Sequence, residues 1–487
     1  MILLKDILYK VTLEKVVGNT GVPFTHLQFD SRKIGLNDVF VAVRGTISDG
    51  HDYIKMATDQ GAIAIVCEEL PSEFINGITY VQVANSAQAL ALMAANYFGN
   101  PSEDIQLIGV TGTNGKTTVA TLLYDLFQQA GYEVGLLSTV HIKVGSKLYP
   151  ATHTTPDSLT INGYLREMVD AGVEYCFMEV SSHGIHQKRT EGLKFRGGIF
   201  TNLSHDHLDY HKDFKEYRDV KKAFFDGLNK GSFALVNVDD KNGSVMLQNT
   251  IAKKYTYALK THADYKAQIL ENQFSGLLLK INNSELWVKL IGNFNAYNLL
   301  AIYATADLLG LETIEVLQLM SNLESVDGRF QYWVSPGNVT AIVDYAHTPD
   351  ALKNVLETIN SIRTGNEELI TVVGCGGDRD AEKRPKMGQI AAQLSTKVVF
   401  TSDNPRSENP TLIIEQIEAG VSPELYKKTL SVVDREQAIK TACQFAQDGD
   451  IILVAGKGHE TYQEINGERK DFDDFQIVNK LLTALNK

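Results

Sequence analysis

Val110-Thr111-Gly112-Thr113-Asn114-Gly115-Lys116-Thr117-Thr118 is the stretch on which the reading of this chain turns. The apolar run Ile105 to Val110 precedes it. A helical pattern with Val119, Leu122, Leu123, Leu126 and Phe127 on one face follows it. Strand, glycine loop and helix N-terminus together cradle a nucleotide triphosphate, because backbone N–H groups and the helix dipole face the phosphates there. In that setting Gly112, Thr113, Asn114, Gly115 and Thr118 shape the cradle, Lys116 neutralises β/γ charge, and Thr117 offers its hydroxyl to Mg²⁺. The general pattern asks for glycine where Val110 stands; Gly109 and Gly112 fall on either side, so the loop is a variant. A plain glycine turn capping a helix is the competing reading.

Working outward, 487 residues are too many for one hydrophobic core, and at about 100–200 residues per domain three domains are expected. Hydrophobic content of 44% and charged content of 22% are those of an ordinary globular protein. A formal charge of −13 argues against broad nucleic-acid binding, which needs a basic face, and leaves room for a local basic site. Cys67, Cys176, Cys375 and Cys443 are widely spaced and form neither a CxxC pair nor a zinc pattern, which fits a reducing cytoplasm. The start, Met1 to Asp6, is too short an apolar run for a signal peptide, and no run of about 18 apolar residues predicts a membrane span.

The expected fold class is α/β. Val39 to Val43 and Ala62 to Cys67 read as strands and Ala87 to Phe98 as a helix, stopped by Gly99-Asn100-Pro101. The stop closes a small N-terminal α/β domain, 1–100. A central P-loop-type ATPase domain, 101–328, continues through strands at Cys176 to Val180 and Gly197 to Asn202, and a helix from Gly292 to about Leu309. A C-terminal Rossmann-like α/β domain, 329–487, has apolar runs at Thr371–Val373, Val398–Phe400 and Ile451–Val454. These lead into Gly374 to Arg379, Asp403-Asn404-Pro405-Arg406 and Gly456 to Glu460. Strands alternating with helices predict a parallel sheet, with all three loops on its carboxyl edge forming one crevice.

Candidate chemistry gathers at strand ends. Glu179 closes a strand expected beside the glycine loop, and a carboxylate there suits Mg²⁺. His207 lies in a second strand-end motif, Asp206-His207-Leu208-Asp209. Each is also compatible with an ordinary solvated or core residue. Lys221 and Lys222 follow Tyr217 on the helical stretch Phe214 to Leu228. They are either a solvated lysine face or contain a neutral lysine that captures CO₂ as a carbamate, an anion able to reach toward Mg²⁺. In the last domain Arg406 and Arg379 can each grip a carboxylate, and Glu460 an ammonium, a set that suits a zwitterionic amino acid. Asp403 to Arg406 alone also reads as a turn.

The ordered set of motifs resembles the Mur ligase family, the ATP-dependent enzymes that build the peptidoglycan stem peptide. It comprises the loop at 111–118, Met178 to Gly184, Thr201 to His211, Tyr217 to Lys221, Gly292 to Asn298, Asp327-Gly328-Arg329-Phe330 and Asp344 to Asp350. The resemblance spans essentially the whole chain and makes the loop variant a family trait. It implies ATP, Mg²⁺ and a carbamate on Lys221 rather than Lys222, from the Tyr-x-x-x-Lys spacing. It places Asn295, Arg329 and Asp344 at ATP, and Thr117, Glu179, His207 and carbamylated Lys221 at metal. Lys116, Glu179, His207 and Lys221 become the catalytic set. Asp30-Ser31-Arg32 resembles the uridine-nucleotide-binding N-terminal domain of members that extend UDP-N-acetylmuramoyl-L-alanyl-D-glutamate. Ser31, Thr154, Thr155, Ser181, Gln187 and Arg189 then meet that substrate. Arg379, Asp403, Asn404, Pro405, Arg406, Gly456 and Glu460 are implied to meet the incoming amino acid. Asp403-Asn404-Pro405-Arg406 resembles the signature of members adding meso-2,6-diaminopimelate, whose far carboxylate suits Arg406 where a lysine ammonium would be repelled. Departures at His153, Ser402 and Leu36-Asn37 touch loop geometry. A lysine-adding member, a folylpolyglutamate synthetase (opposed by residues 1–100) and a P-loop switch protein are the alternatives. A monomer is expected, with a hinge near Val326–Phe330 closing the third domain over ATP.

Overall fold

Three sheets, each coated by helices, organise the chain in a computed structural model that describes every residue except Met1, Ile47, His205, His207, Leu208 and Asp209. The first has five strands in the order Leu13–Val17, Thr79–Val83, Ala64–Cys67, Val39–Val41, Leu27–Gln28, antiparallel only at the first pair. Two of its inner strands, Ala64–Cys67 and Val39–Val41, are apolar throughout and buried on both faces, as parallel strands between helices must be. The helix Ser86–Tyr97 starts on an Asn85 side-chain cap, one residue from the sequence expectation, and ends at Gly99 and Asn100, both with positive φ.

The second sheet has eleven strands. At its centre Gln106–Thr111 lies between Tyr175–Glu179 and Gly197–Phe200, all parallel, with Glu179 opposite Val110 and Phe200 opposite Thr111. This register sets the carboxyl ends of three buried strands side by side at the glycine loop. The helix Lys116–Gln129 buries Val119, Leu122, Leu123, Leu126 and Phe127, the face foreseen from their spacing. Hairpins absent from the sequence expectation extend both edges: His141–Val144 with Lys147–Pro150, and Tyr265–Gln273 through Gly276–Ile281 to Ser284–Val288.

The third sheet runs Gln331–Val334, Thr340–Asp344, Ile451–Ala455, Leu369–Val373, Lys397–Phe400, Thr429–Ser431, parallel except at its first strand. The three loop-bearing strands are neighbours, so their carboxyl ends share one edge. A separate hairpin, Tyr462–Ile465 with Glu468–Asp471, folds onto that edge. Between the second and third sheets the chain passes Gly328, whose φ of 64° is essential because a Cβ there would lie 2.0 Å from the His459 nitrogen. Phe330, with φ of 49°, follows; a bulky residue in left-handed backbone marks a strained joint at the expected hinge.

Candidate active site

The glycine loop is held tightly. Gly112 has φ of 151°, and a Cβ there would lie 1.9 Å from Thr201 Oγ1; at Gly115, φ 87°, it would lie 2.6 Å from Asn298 Oδ1. Thr113 donates its backbone N–H to the Asn202 carbonyl and Asn114 donates its own to Asn202 Oδ1. Lys116 Nζ donates to the Gly112 and Thr113 carbonyls at 3.0 and 2.8 Å. Thr117 Oγ1 donates to Glu179 Oε2 at 3.0 Å, while the Thr139 N–H holds Glu179 Oε1 at 2.8 Å. Hydroxyl and carboxylate thus form a pair of hard oxygen donors beside the loop, a fit for Mg²⁺ shared with substrate phosphates. Among the described residues no group of three or more His, Cys, Asp or Glu forms a metal cage. His207 lies outside the described residues.

Lys221 and Lys222 separate cleanly. Lys222 pairs with Asp226 at 2.7 Å one helical turn on. Lys221 points inward, 1% exposed, donating to the Gly112 carbonyl at 2.9 Å with its amine 4.9 Å from the Tyr217 ring centre. Burial, reinforced by the Lys116 charge, drives the Lys221 amine well below the usual lysine range. A neutral amine is the form that reacts with CO₂.

Across the cleft, Arg329 Nη2 donates to Thr117 Oγ1 at 3.1 Å, tying the start of the third unit to the nucleotide loop. Its guanidinium stacks 4.4 Å from the Tyr345 ring centre. Asp344 accepts the Phe330 N–H at 2.6 Å, and burial pushes its carboxyl up to about 6 against the pull of Arg329. Asn295 donates to the Ile291 carbonyl and receives Asn298 Nδ2, so it braces the helix that meets Gly115.

A cleft of about 1520 Å³ opens between the units, large enough for more than one small-molecule substrate. Thr46 lines it from the first, Lys116, Thr154, Thr155, Ser181, Gln187, Arg189 and Lys221 from the second, and Arg379, Asp403, Asn404, Arg406, Gly456 and Glu460 from the third. Thr155 Oγ1 accepts the Ser181 N–H and donates to the Glu179 carbonyl. Arg189 donates to the Thr155 carbonyl at 2.6 Å and bidentately to Gln187 Oε1. Thr155, Ser181, Gln187 and Arg189 therefore share one network that ends on the Glu179 backbone carbonyl. Ser31 stays apart, buried in the short turn Ser31–Lys33 of the first unit, and does not line the cleft.

At the edge of the third sheet Arg406, at φ 51°, donates Nη1 to the Gly377 carbonyl, and Pro405 is packed beneath Gly377. Gly456 must be glycine, since a Cβ would lie 2.5 Å from Asp403 Oδ2. Two buried arginines, each paired with a carboxylate, brace these loops. Arg384 forks onto Glu408 and reaches the Gly376 carbonyl. Arg435, fully buried with Asp474, donates to the Ser402 and Ala455 carbonyls. Lys457, inside the Gly456–Glu460 loop, and Asn298, at the end of Gly292–Asn298, also belong to this site, and neither carries a signal of its own in the sequence.

A phosphate cradle facing an arginine- and carboxylate-lined wall across a three-unit cleft defines an ATP-dependent ligase. The chain belongs to the Mur ligase family. Residues 23–98 match the profile described as Mur ligase family, catalytic domain; 110–306 match the Mur ligase middle domain; 328–458 match the Mur ligase, glutamate ligase domain. A UDP-N-acetylmuramoyl-L-alanyl-D-glutamate–2,6-diaminopimelate ligase of Cytophaga hutchinsonii is 55% identical over 99% of this chain and 100% of its own length. The Bacteroides fragilis protein of the same name is 52% identical over 99% of each chain. A solved structure bearing that ligase name superposes with a TM-score of 0.70 at 30% identity, covering 100% of this chain and 99% of that one. The MurF ligase of Thermotoga maritima, solved with ADP, shares the fold at a TM-score of 0.64 and 19% identity over 94% of this chain and 98% of that one.

Proposed function

We propose that this protein joins meso-2,6-diaminopimelate to UDP-N-acetylmuramoyl-L-alanyl-D-glutamate at the expense of ATP. The observation that carries the reading is the Asp403–Arg406 loop, which meets Glu460 and Gly456 on one sheet edge and faces the glycine loop across a single cleft. The names of relatives above 50% identity support the same substrate pair.

The D-glutamate side-chain carboxylate attacks the γ-phosphorus of ATP, ADP leaves, and an acyl phosphate forms. The amine of diaminopimelate, having lost a proton, attacks the acyl carbon; the tetrahedral adduct expels phosphate and leaves an amide. Lys116 and the Gly112–Thr118 backbone stabilise the transferring phosphoryl group, and positioning supplies most of the rest. Thr117 and Glu179 would hold Mg²⁺, which would neutralise phosphate charge when bound. Carbamylated Lys221, with His207, would supply anionic and imidazole ligands to a second ion. Asn295, Arg329 and Asp344 serve ATP, so closure about Val326–Phe330 completes the site and keeps water from the acyl phosphate. Thr154, Thr155, Ser181, Gln187 and Arg189 hold the muramoyl dipeptide, with Ser31 at its uridine end. Arg379, Asn404, Arg406 and Glu460 hold the amino acid, on a loop surface shaped by Asp403, Pro405 and Gly456.

The domains divide at 100/101 and 328/329, and the protein works as a cytoplasmic monomer. Among the described residues no helix is long and apolar enough to cross a membrane. Phosphate release tests the reaction: it should require ATP, the UDP-muramoyl dipeptide and diaminopimelate together. Release undiminished when the dipeptide is omitted contradicts it.

A further inference from the structure

Lys457 is fully buried, yet the reaction just described gives it no task. Its amine donates to Asn404 Oδ1 at 3.0 Å and to Glu460 Oε2 at 3.2 Å, and lies 5.4 Å from the Tyr462 ring centre. Asn404 Nδ2 donates to the same Glu460 oxygen at 2.7 Å. Asn404 Oδ1 also takes the Glu464 N–H at 2.9 Å, from the hairpin that folds onto this edge. With two donors on Oδ1, the Asn404 amide has one orientation only.

This arrangement sorts the two oxygens of Glu460. Oε2 is saturated by Lys457 and Asn404, while Oε1 has no hydrogen-bond partner among the described residues. Glu460, Asn404 and Tyr462 line the cleft and Lys457 does not, so the amine stands behind the wall. It cannot serve as a contact for substrate. It can decide how the carboxylate is presented and whether it is charged.

We propose that Lys457 is a positioning residue of the amino-acid site, locking Asn404 and Glu460 so that Glu460 offers one ionised oxygen to the ligand ammonium. The proposal rests on the amino-acid-ligase reading above and adds a residue to it. The groups facing Glu460 are Lys457, Asp403, Tyr345, Tyr462 and, more remotely, Arg435. Burial raises the Glu460 carboxyl above its ordinary value, Lys457 opposes the rise, and Asp403 adds to it. Removing Lys457 therefore moves the carboxyl further upward, and a protonated Glu460 loses its grip on an ammonium.

The test uses the full chain and the variants Lys457→Met, Glu460→Gln and the double variant. KM for diaminopimelate, ATP and the UDP-muramoyl dipeptide is followed from roughly pH 6 to 9. Lys457→Met should raise KM for diaminopimelate about tenfold or more, the worth of one charged hydrogen bond. The KM values for ATP and dipeptide should stay unchanged. Its acid limb of kcat/KM should move to higher pH, and Glu460→Gln should abolish that shift. The double variant, which leaves no unpaired buried charge, should match Glu460→Gln alone, because the two side chains act as one unit. Parent-like KM and acid limb in Lys457→Met, or a double variant much weaker than Glu460→Gln, overturns the proposal. If Lys457→Met does not fold, the double variant decides alone. Parent enzyme that turns over no diaminopimelate overturns the ligase reading instead.

Discussion

Replacing Arg406 by alanine isolates a side chain from its loop. The backbone there is pinned independently: Arg406 donates its N–H to the Glu464 carbonyl at 3.1 Å and accepts the Asn466 N–H at 2.7 Å. Both bonds survive the substitution. The left-handed φ of 51° is equally strained for arginine and alanine, so that cost cancels. Among the described residues the guanidinium makes one hydrogen bond, from Nη1 to the Gly377 carbonyl at 2.8 Å, leaving most of its five donors for a ligand at the cleft. Losing a charged hydrogen bond to a carboxylate costs about 1.5–3 kcal/mol. At about 1.4 kcal/mol per decade, kcat/KM for diaminopimelate should fall about ten- to 150-fold. L-lysine shares the far ammonium but has hydrogen in place of the far carboxylate, so it makes no such bond to lose, and its use should hold or rise. Steady-state phosphate release with each amino acid, alongside a melting curve matching the parent, reads both arms. Unchanged diaminopimelate kinetics, or equal losses for the two amino acids, refutes the assignment of Arg406 to the far carboxylate.

Four further outcomes follow from the same geometry. Lys221→Ala should lose nearly all turnover and regain part of it with short-chain carboxylic acids standing in for the carbamate. In the parent the carbamate requires a neutral amine, present above the depressed Lys221 value and lost as pH falls through it. Activity lost on stripping CO₂ should thus return with bicarbonate at alkaline pH and less so in acid. Gly112→Ala must push Thr201 aside, at about 1–3 kcal/mol for overpacking, and should weaken nucleotide binding in calorimetry more than it perturbs circular dichroism. Arg435→Met leaves Asp474 charged and buried, which should cost about 3–5 kcal/mol by denaturant titration, whereas Arg435→Met with Asp474→Leu should recover most of it.

Local patterns made the sites legible. The glycine loop, Glu179, and the three loops of the third sheet all sit at carboxyl ends of buried strands, and an apolar run stopped by charge or glycine is visible in one dimension. In the edge hairpins, 141–150 and 265–288, the strands Lys147–Pro150 and Tyr265–Gln273 are exposed along most of their length, so they hold too few buried apolar positions for an alternation to be read. The braces were illegible for a different reason. Arg435 and Asp474 are far apart in sequence, and an isolated arginine or aspartate reads as surface until the fold buries both. Lys457 was hidden by its neighbours: within Gly456 to Glu460 the carboxylate had an evident partner in a ligand ammonium, and the amine two residues beyond the end of the strand had none. Between Lys221 and Lys222, spacing and resemblance chose Lys221, and the physical reason is the counter-ion: both are buried, but Lys222 is paired with Asp226 and keeps its charge compensated, whereas Lys221 has the Gly112 carbonyl.

The most direct measurement offers the protein ATP, Mg²⁺, UDP-N-acetylmuramoyl-L-alanyl-D-glutamate and equal amounts of meso-diaminopimelate and L-lysine, then weighs the nucleotide-linked product by mass spectrometry. One product is expected, heavier by a diaminopimelate residue, formed with one ADP and one phosphate for each amide. A product carrying lysine in comparable amount, or ATP hydrolysis with no amide, contradicts it.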